Sequence, residues 1–424
     1  MATRLTADLP NVELLDSYGR LLDLVRTREA VTRPELSSRT GLGRTAITQR
    51  TTVLLDAGLL EEGELNASTG GRQARSLRFA KDAGRILCAE LGATGFTAGI
   101  TDLTGSVLAS RHVECAIAQG PELVLDEVEK ILDELLATEG CAPEDVWGVG
   151  VGVPGPVEFA TGRPSEPPIM PGWNNFGVRE RLGARFQAPV WVDNEVNLLC
   201  LGELRTPGAS VGGELLYIKI GTGIGAGISS AGQLHRGAQG CAGDIGHAAV
   251  SDDSAVICRC GKTGCLEALA GGAALARDAE ALAGGGHSEP LARILRENGS
   301  LTSIDVAAAA QAGDHQAVQL LTQAGKRIGA MLATLVNFYN PQVILLGGRV
   351  SDAGDLFLAS IRETIYRRSL PLSTRELRID RARLGDEGGL IGAAYMVLDE
   401  LFAVHYFGDW LPAGSPAGMP HLTG

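Results

Sequence analysis

At 424 residues the chain is long enough for roughly three structural units. With 45% hydrophobic and 21% charged residues it is neither disordered nor of low complexity. No apolar run reaches the ~18 residues of a membrane span, and the opening MATRLTADLPNVELL lacks a secretory core, so a cytoplasmic protein with no membrane partner is expected. The net charge of −13 is uneven: residues 1–85 hold 13 Lys and Arg against 11 Asp and Glu, and residues 86–424 hold 24 against 39. That asymmetry points to a small N-terminal module whose partner differs from that of the acidic body. The 57 glycines gather in short loops without a period, which excludes collagen and suggests backbones passing close to a ligand.

Leu14, Leu15, Tyr18, Leu21, Leu22 and Val25 recur at helical spacing and predict a first helix. Thr32-Arg-Pro-Glu35 reads as a capping box opening a short helix to about Thr40. Gly41 turns the chain, and Gly43-Arg44 opens a third helix to about Ala57 with Ile47, Val53 and Leu54 toward the core. Arg44, Thr45, Thr48, Gln49 and Arg50 gather near its start. Arg and Gln can read guanine and adenine edges there, and Thr can meet phosphate or a thymine methyl.

Two helices about a tight turn, the second polar at its start, form a helix-turn-helix. Gly58-Leu59-Leu60 starts a strand, Glu61 to Thr69 turns back as a wing, and Gly70-Gly71-Arg72 suits a minor groove. Ser37–Leu55 and Leu65–Lys81 contain no acid. Residues 1–80 are read as a winged helix-turn-helix that binds double-stranded DNA, against a plain three-helix bundle for protein contacts.

From Ile86 the pattern changes. Strands are predicted at Ile86–Leu91, Phe96–Asp102 and Ser106–Ser110, and a helix from Pro121 carries Leu125, Val128, Leu132 and Leu135 on one stripe. Val146–Val153 stops at Pro154-Gly155-Pro156, and Pro189–Val192 leads into Asp193-Asn194-Glu195. Leu215–Ile220 runs into Gly221-Thr-Gly-Ile-Gly-Ala-Gly227, and a long helix from about Ala317 to Phe338 precedes the strand Val343–Leu346. Strands ending in glycine-rich loops, with helices between, make an α/β architecture whose ligand sits at strand ends.

His247, Cys258, Cys260 and Cys265 read H-x10-C-x-C-G-x-x-G-C. Three thiolates and an imidazole suit tetrahedral zinc. With all four positions filled by protein the ion is structural. Gly261 and Gly264 let the loop curl so that Cys260 and Cys265 reach one ion.

With these motifs the chain resembles the ROK family of repressors, open reading frames and kinases, in the layout of its winged-helix regulators, to about Glu400. The resemblance implies an actin-like, sugar-kinase-like fold of two α/β lobes. The first lobe is residues 86–200, completed by a helix at about 388–403. The second lobe is 201–387 with the zinc loop, and 404–424 is a tail without a match. It implies a sugar pocket of Asn194, Glu195, Asp244, His247 and Glu267, with His247 binding zinc through one ring nitrogen and facing the sugar with the other. Glu195 stands where the family's kinases place Asp as general base, and Asp244 stands where Glu is usual.

The resemblance also makes Gly221, Thr222, Gly223 and Gly225 a second phosphate loop. The first, Glu90-Leu-Gly92-Ala93-Thr94, departs from Asp-x-Gly-Gly-Thr. With base and first loop altered, ATP and magnesium are not expected as cofactors. The expected function is a sugar-responsive DNA-binding regulator, a repressor, that binds an inverted-repeat operator as a homodimer or homotetramer. The alternative is an ATP-dependent hexose kinase carrying a DNA-binding module.

Overall fold

The computed structural model describes residues 12–65, 75–206, 211–252, 255–350 and 354–423. The N-terminal unit holds α1 (Val12–Arg26), α2 (Arg33–Thr40) and α3 (Arg44–Asp56), then an antiparallel hairpin of β1 (Leu60–Leu65) and β2 (Arg75–Phe79). The capping box forms: Glu35 N donates to Thr32 Oγ1 (3.4 Å) and Thr32 N to Glu35 Oε2 (2.9 Å). Gly41 ends α2 in the left-handed region (φ 74°), which glycine adopts without cost. Arg72 and the hairpin tip lie outside the described residues.

The body begins with β3 (Arg85–Leu91), β4 (Phe96–Thr101), β5 (Val107–Val113), α4 (Pro121–Glu139) and β6 (Val146–Val153). A short ribbon of β7 (Val157–Glu158) and β8 (Arg163–Pro164), then α5 (Val178–Phe186), leads to β9 (Val190–Asn194) and α6 (Glu195–Arg205). The first sheet has the order β5-β4-β3-β6-β9, antiparallel through β3 and parallel beyond it.

A second sheet starts with β10 (Leu215–Ile220), β11 (Ile224–Ser230) and β12 (Gln233–Leu234). Helices follow: α7 (Leu266–Ala270), α8 (Gly272–Gly284), α9 (Glu289–Asn298), α10 (Ser303–Gln311) and α11 (His315–Tyr339). Then come β13 (Val343–Gly347), α12 (Asp355–Arg368), α13 (Pro371–Thr374), β14 (Arg378–Arg381), α14 (Gly388–Leu401) and α15 (Val404–Trp410). Its order, β12-β11-β10-β13-β14, repeats the topology of the first sheet, strand for strand. Two copies of one sheet plan, facing each other, make the actin-like, sugar-kinase-like architecture.

Each sheet is covered on both sides. On β3, Leu87, Ala89 and Leu91 face α4, while Ile86 and Cys88 face α14. β6 alternates valine with Gly148, Gly150 and Gly152, and side chains there would strike Val397, the Ala393 carbonyl and Leu198. These glycines therefore serve helix-on-sheet packing. Gly225 and Gly227 lie at the start of β11, just after the turn: added side chains would meet Val196 and Cys200 of α6.

The C-terminal segment is part of the core. Trp410 is fully buried, its Nε1 donates to Leu401 O (2.8 Å), and its ring meets Trp147 edge-on. Phe407 packs on Tyr18 of α1, and Phe402 on Phe79 of β2. Arg26 of α1 lies over the Tyr395 ring of α14. The three-helix unit, the first sheet and the tail thus share one apolar core. Truncation of Trp410 to Ala should cost about 3–5 kcal/mol in chemical denaturation and open the chain near residue 80 to protease. Unchanged stability would show that the tail does not bind the two parts.

Candidate functional site

Four segments converge where β10 turns into β11. β9 ends at Asn194, which caps α6: its Oδ1 accepts from Val196 N (2.8 Å) and its Nδ2 donates to Gly155 O (2.8 Å). Val196, beside Glu195, packs on Gly225. Glu267 of α7 accepts the Ile224 N–H (3.0 Å) through Oε2, and Gly223 has no room for a side chain beside that carboxylate. The turn Ile245–His247 brings Gly246 against the Ile224 carbonyl and the Glu267 stem. Gly272 N at the start of α8 donates to Gly221 O (2.8 Å), and Ala273 N donates to Thr222 O (3.1 Å). The structure therefore gathers Asn194, Glu195, His247, Glu267 and the Gly221–Gly225 turn, and ties Glu267 to that turn. Asp244 is exposed, its Oδ1 3.9 Å from His247 Nε2.

Glu195 is buried, and Oε2 lies 2.7 Å from Lys219 Nζ. At that distance the contact is charge-assisted, and the Lys219 ammonium partners this buried oxygen. Lys219 also reaches Glu90 Oε1 at 3.6 Å, so β10 of one sheet joins β3 of the other. Burial would depress the Lys219 ammonium, but Glu195 and Glu90 more than offset it and hold it above its ordinary value. A second tie crosses the lobes: Arg236 Nε donates to Asp193 Oδ2 (2.6 Å) with its guanidinium 3.7 Å from the Phe159 ring centre. Sequence reasoning missed Lys219 and the pairing of Asp193 with Arg236. The signal was present, since a lysine inside Leu215-Leu-Tyr-Ile-Lys-Ile220 has to be paired if the strand is buried.

His247 and the three cysteines meet. Their ligand atoms all lie within 4.8 Å of one another. Cys260 and Cys265 sulfurs are 3.7 Å apart, and Cys258 Sγ is 3.5 Å from His247 Nδ1. A tetrahedral ion with Zn–S near ~2.3 Å requires edges of about that length. Nδ1 faces the thiols and Nε2 faces Asp244, which leaves one ring nitrogen for each side. Burial, reinforced by Cys260 and Cys258, pushes the Cys265 thiol up to about 12. Three crowded thiols cannot all ionise without a cation, and the donor set fits one. Gly261 (φ 83°) and Gly264 (φ 74°) make the curl, and a side chain on Gly264 would strike Ser251 O.

An open cavity of about 290 Å³ lies between Ala93, Ile117, Pro168 and Ile169 of the first lobe and Arg259 of the cysteine loop. A larger groove of about 380 Å³ between α8 and α11 is lined by none of the site residues.

On the N-terminal unit, Arg44, Thr45, Thr48 and Gln49 form an exposed face of α3, opposite the buried Ile47, Thr51 and Leu54. Arg50 is half-buried, and its Nε has no aligned partner among the described residues. The second acid-free stretch is not a free positive patch. Arg75 pairs with Glu62 (2.8 Å) and Arg78 with Glu61 (3.3 Å) across the hairpin.

Residues 86–400 match the ROK family. The chain belongs to the ROK family. The Caldicellulosiruptor bescii protein named xylose repressor is 29% identical over 398 residues, covering 93% of this chain and 98% of that one. The Halalkalibacterium halodurans glucokinase is 32% identical over 308 residues, covering 73% of this chain and 93% of its own. Among solved structures, a ROK family transcriptional regulator, a homolog of the E. coli MLC protein, superposes with a TM-score of 0.81 at 25% identity. That superposition covers 95% of this chain and all of the other. ROK glucokinase likeness thus stops at the body, while likeness to ROK regulators runs through the head.

Burial holds the Glu90 carboxyl above its ordinary value; Lys219 pulls it down and Glu195 adds to the rise. A group raised in the folded state contributes stability fully below its unfolded value and loses it as pH rises through the folded one. Glu90→Gln escapes that loss. Its stability relative to the parent, measured by urea unfolding, should therefore climb from about pH 5 to about pH 8. A pH-independent difference would contradict this.

Proposed function

We propose that this ROK protein is a sugar-responsive, DNA-binding transcriptional repressor acting in the cytoplasm. The observation that carries the reading is the exposed polar face of α3, on a head rigidly joined to a sugar-kinase-like body. In this reading residues up to about 80 form a winged helix-turn-helix. The body's two lobes close on the effector, with the tail as part of the joint. Arg44, Thr45, Thr48 and Gln49 stand where a recognition helix meets base edges, and Arg50 and Arg72 complete the contact. Two such heads in a homodimer or homotetramer would span an inverted repeat.

The sugar is held by Asn194, Glu195, Asp244, His247 and Glu267. The carboxylates of Glu195 and Asp244, the amide of Asn194 and His247 Nε2, which faces Asp244, are groups of the donor and acceptor kinds that bind vicinal hydroxyls. The relatives' names favour a sugar or sugar derivative as effector. Among the described residues no single helix is long and apolar enough to cross a membrane.

In the same reading His247, Cys258, Cys260 and Cys265 hold a structural zinc ion. The ion fixes the loop, and through Nδ1 it orients the ring that faces the sugar. One zinc per chain should be found by atomic absorption. Cys265→Ser should lose it and lower the thermal midpoint by at least about 5 °C. Retention of zinc by that variant would remove Cys265 from the ligand set.

The function is tested by selecting fragmented genomic DNA with the zinc-loaded protein, with and without a sugar pool. Enrichment of a palindrome whose yield changes with sugar is the expected result. Arg44→Ala should weaken the selected site by about 1–3 kcal/mol with the fold intact. Absence of any enriched site from folded protein would overturn the reading.

A further inference from the structure

We propose that Lys219 is an internal cation that permanently fills the magnesium position of the cleft, so that this ROK body receives sugar without nucleotide. The inference rests on the receptor reading above and adds what the site refuses. Two carboxylates, Glu90 from the end of β3 and Glu195 from the start of α6, turn toward one point in the interior. Magnesium in phosphoryl-transfer sites is bound through one or two carboxylates together with substrate phosphates. Here the point is taken: Lys219 Nζ stands 2.7 Å from Glu195 Oε2 and 3.6 Å from Glu90 Oε1.

All three side chains are largely shielded, with exposures of 21% for Lys219, 15% for Glu90 and 11% for Glu195. The second oxygen of Glu90 lies against Gly389 in the first turn of α14, and Asp386 just before that helix adds a further negative charge. The ammonium is the cation that the protein itself supplies to this acidic group. A divalent ion entering between the carboxylates would meet an ammonium at contact distance, and repulsion at low dielectric opposes it. Ala93 adds to the exclusion, because its methyl stands in the first loop where backbone would have to approach phosphate.

The residues of this chain thus do not fit magnesium with ATP. The altered base position, Glu195 for Asp, is secondary, since Lys219 already engages the Glu195 carboxylate. Lys219 also has a positive role, orienting Glu195 for a sugar hydroxyl.

The test is manganese binding, read by electron paramagnetic resonance at pH 8 on zinc-loaded full-length protein. The parent and Lys219→Arg should show no cleft ion. Lys219→Ala, with fold and zinc content checked, should gain one Mn²⁺ per chain, bound at least tenfold tighter than any ion on the parent. The double variant Lys219→Ala/Glu90→Gln should lose it again. A cleft ion in the parent, or no gain in folded Lys219→Ala, overturns the proposal.

A second arm needs no variant. Calorimetric titration of the parent with Mg²⁺ and the non-hydrolysable analogue AMPPNP should give no binding, and a Kd below about 1 mM overturns the proposal. Nucleotide binding would leave operator selection by the same protein untouched. Failure to select an operator would leave the manganese result standing. The two readings can therefore fail separately.

Discussion

The near-contact of two helix backbones organises this protein. Gly392 of α14 sits so close to α6 that a side chain there would coincide with the Leu198 carbonyl oxygen, 1.8 Å away. Gly202 of α6 returns the contact against the Gly388 carbonyl. Helices joined this way cannot slide or separate by small amounts without losing dense packing, so they move together. α6 begins at Glu195 in the cleft. α14 begins beside Glu90 and ends among the aromatic rings under the head. One pair of helices thus touches both functional ends of the molecule.

The two joints of the molecule differ in chemistry. Between head and first lobe the joint is apolar: Tyr18, Phe79, Phe402, Phe407, Trp147 and Trp410 meet edge to face, each such pair adding about 0.5–1.5 kcal/mol beyond burial. Between the lobes, α6 packs Val196, Leu199 and Cys200 on Leu215 and Tyr217 of β10, and ion pairs add to that contact, Lys219 with Glu90 and Glu195, and Arg236 with Asp193. The head therefore packs as one body with the first lobe, and in the proposed reading an effector acts on the lobe angle. A ligand that changes DNA affinity through that angle has its own affinity changed by DNA to the same degree.

Much of this was legible in the sequence. The capping box at Thr32, the strand runs from Ile86 and Val146, and the cysteine loop each carry local chemistry that allows few alternatives. What escaped detection depends on partners far apart in the chain. Lys219 finds Glu90 across two sheets, and Arg75 and Arg78 find Glu62 and Glu61 only once the hairpin closes. Gly225 and Gly227 of β11 read as part of a ligand loop because spacing does not say whether a phosphate or a helix passes overhead. The tail had no motif to offer, since Phe402, Phe407 and Trp410 are ordinary core residues whose meaning is their burial.

Charge placement bears on how such a head would find DNA. The body carries a surplus of 15 acids over bases, and the head an excess of only two bases. Inside the head, the hairpin arginines Arg75 and Arg78 are paired with Glu62 and Glu61. Little positive field is left for sequence-independent attraction to phosphate, and the acidic body opposes it. Binding would then depend on what α3 presents near its start, the exposed Arg44, Thr45, Thr48 and Gln49. These groups gain energy at matched base edges far more than along a generic backbone. A weakly attracted head with a selective helix loses its hold when its spacing to a second copy changes. Such a head suits an operator from which a sugar-driven change of lobe angle can release it.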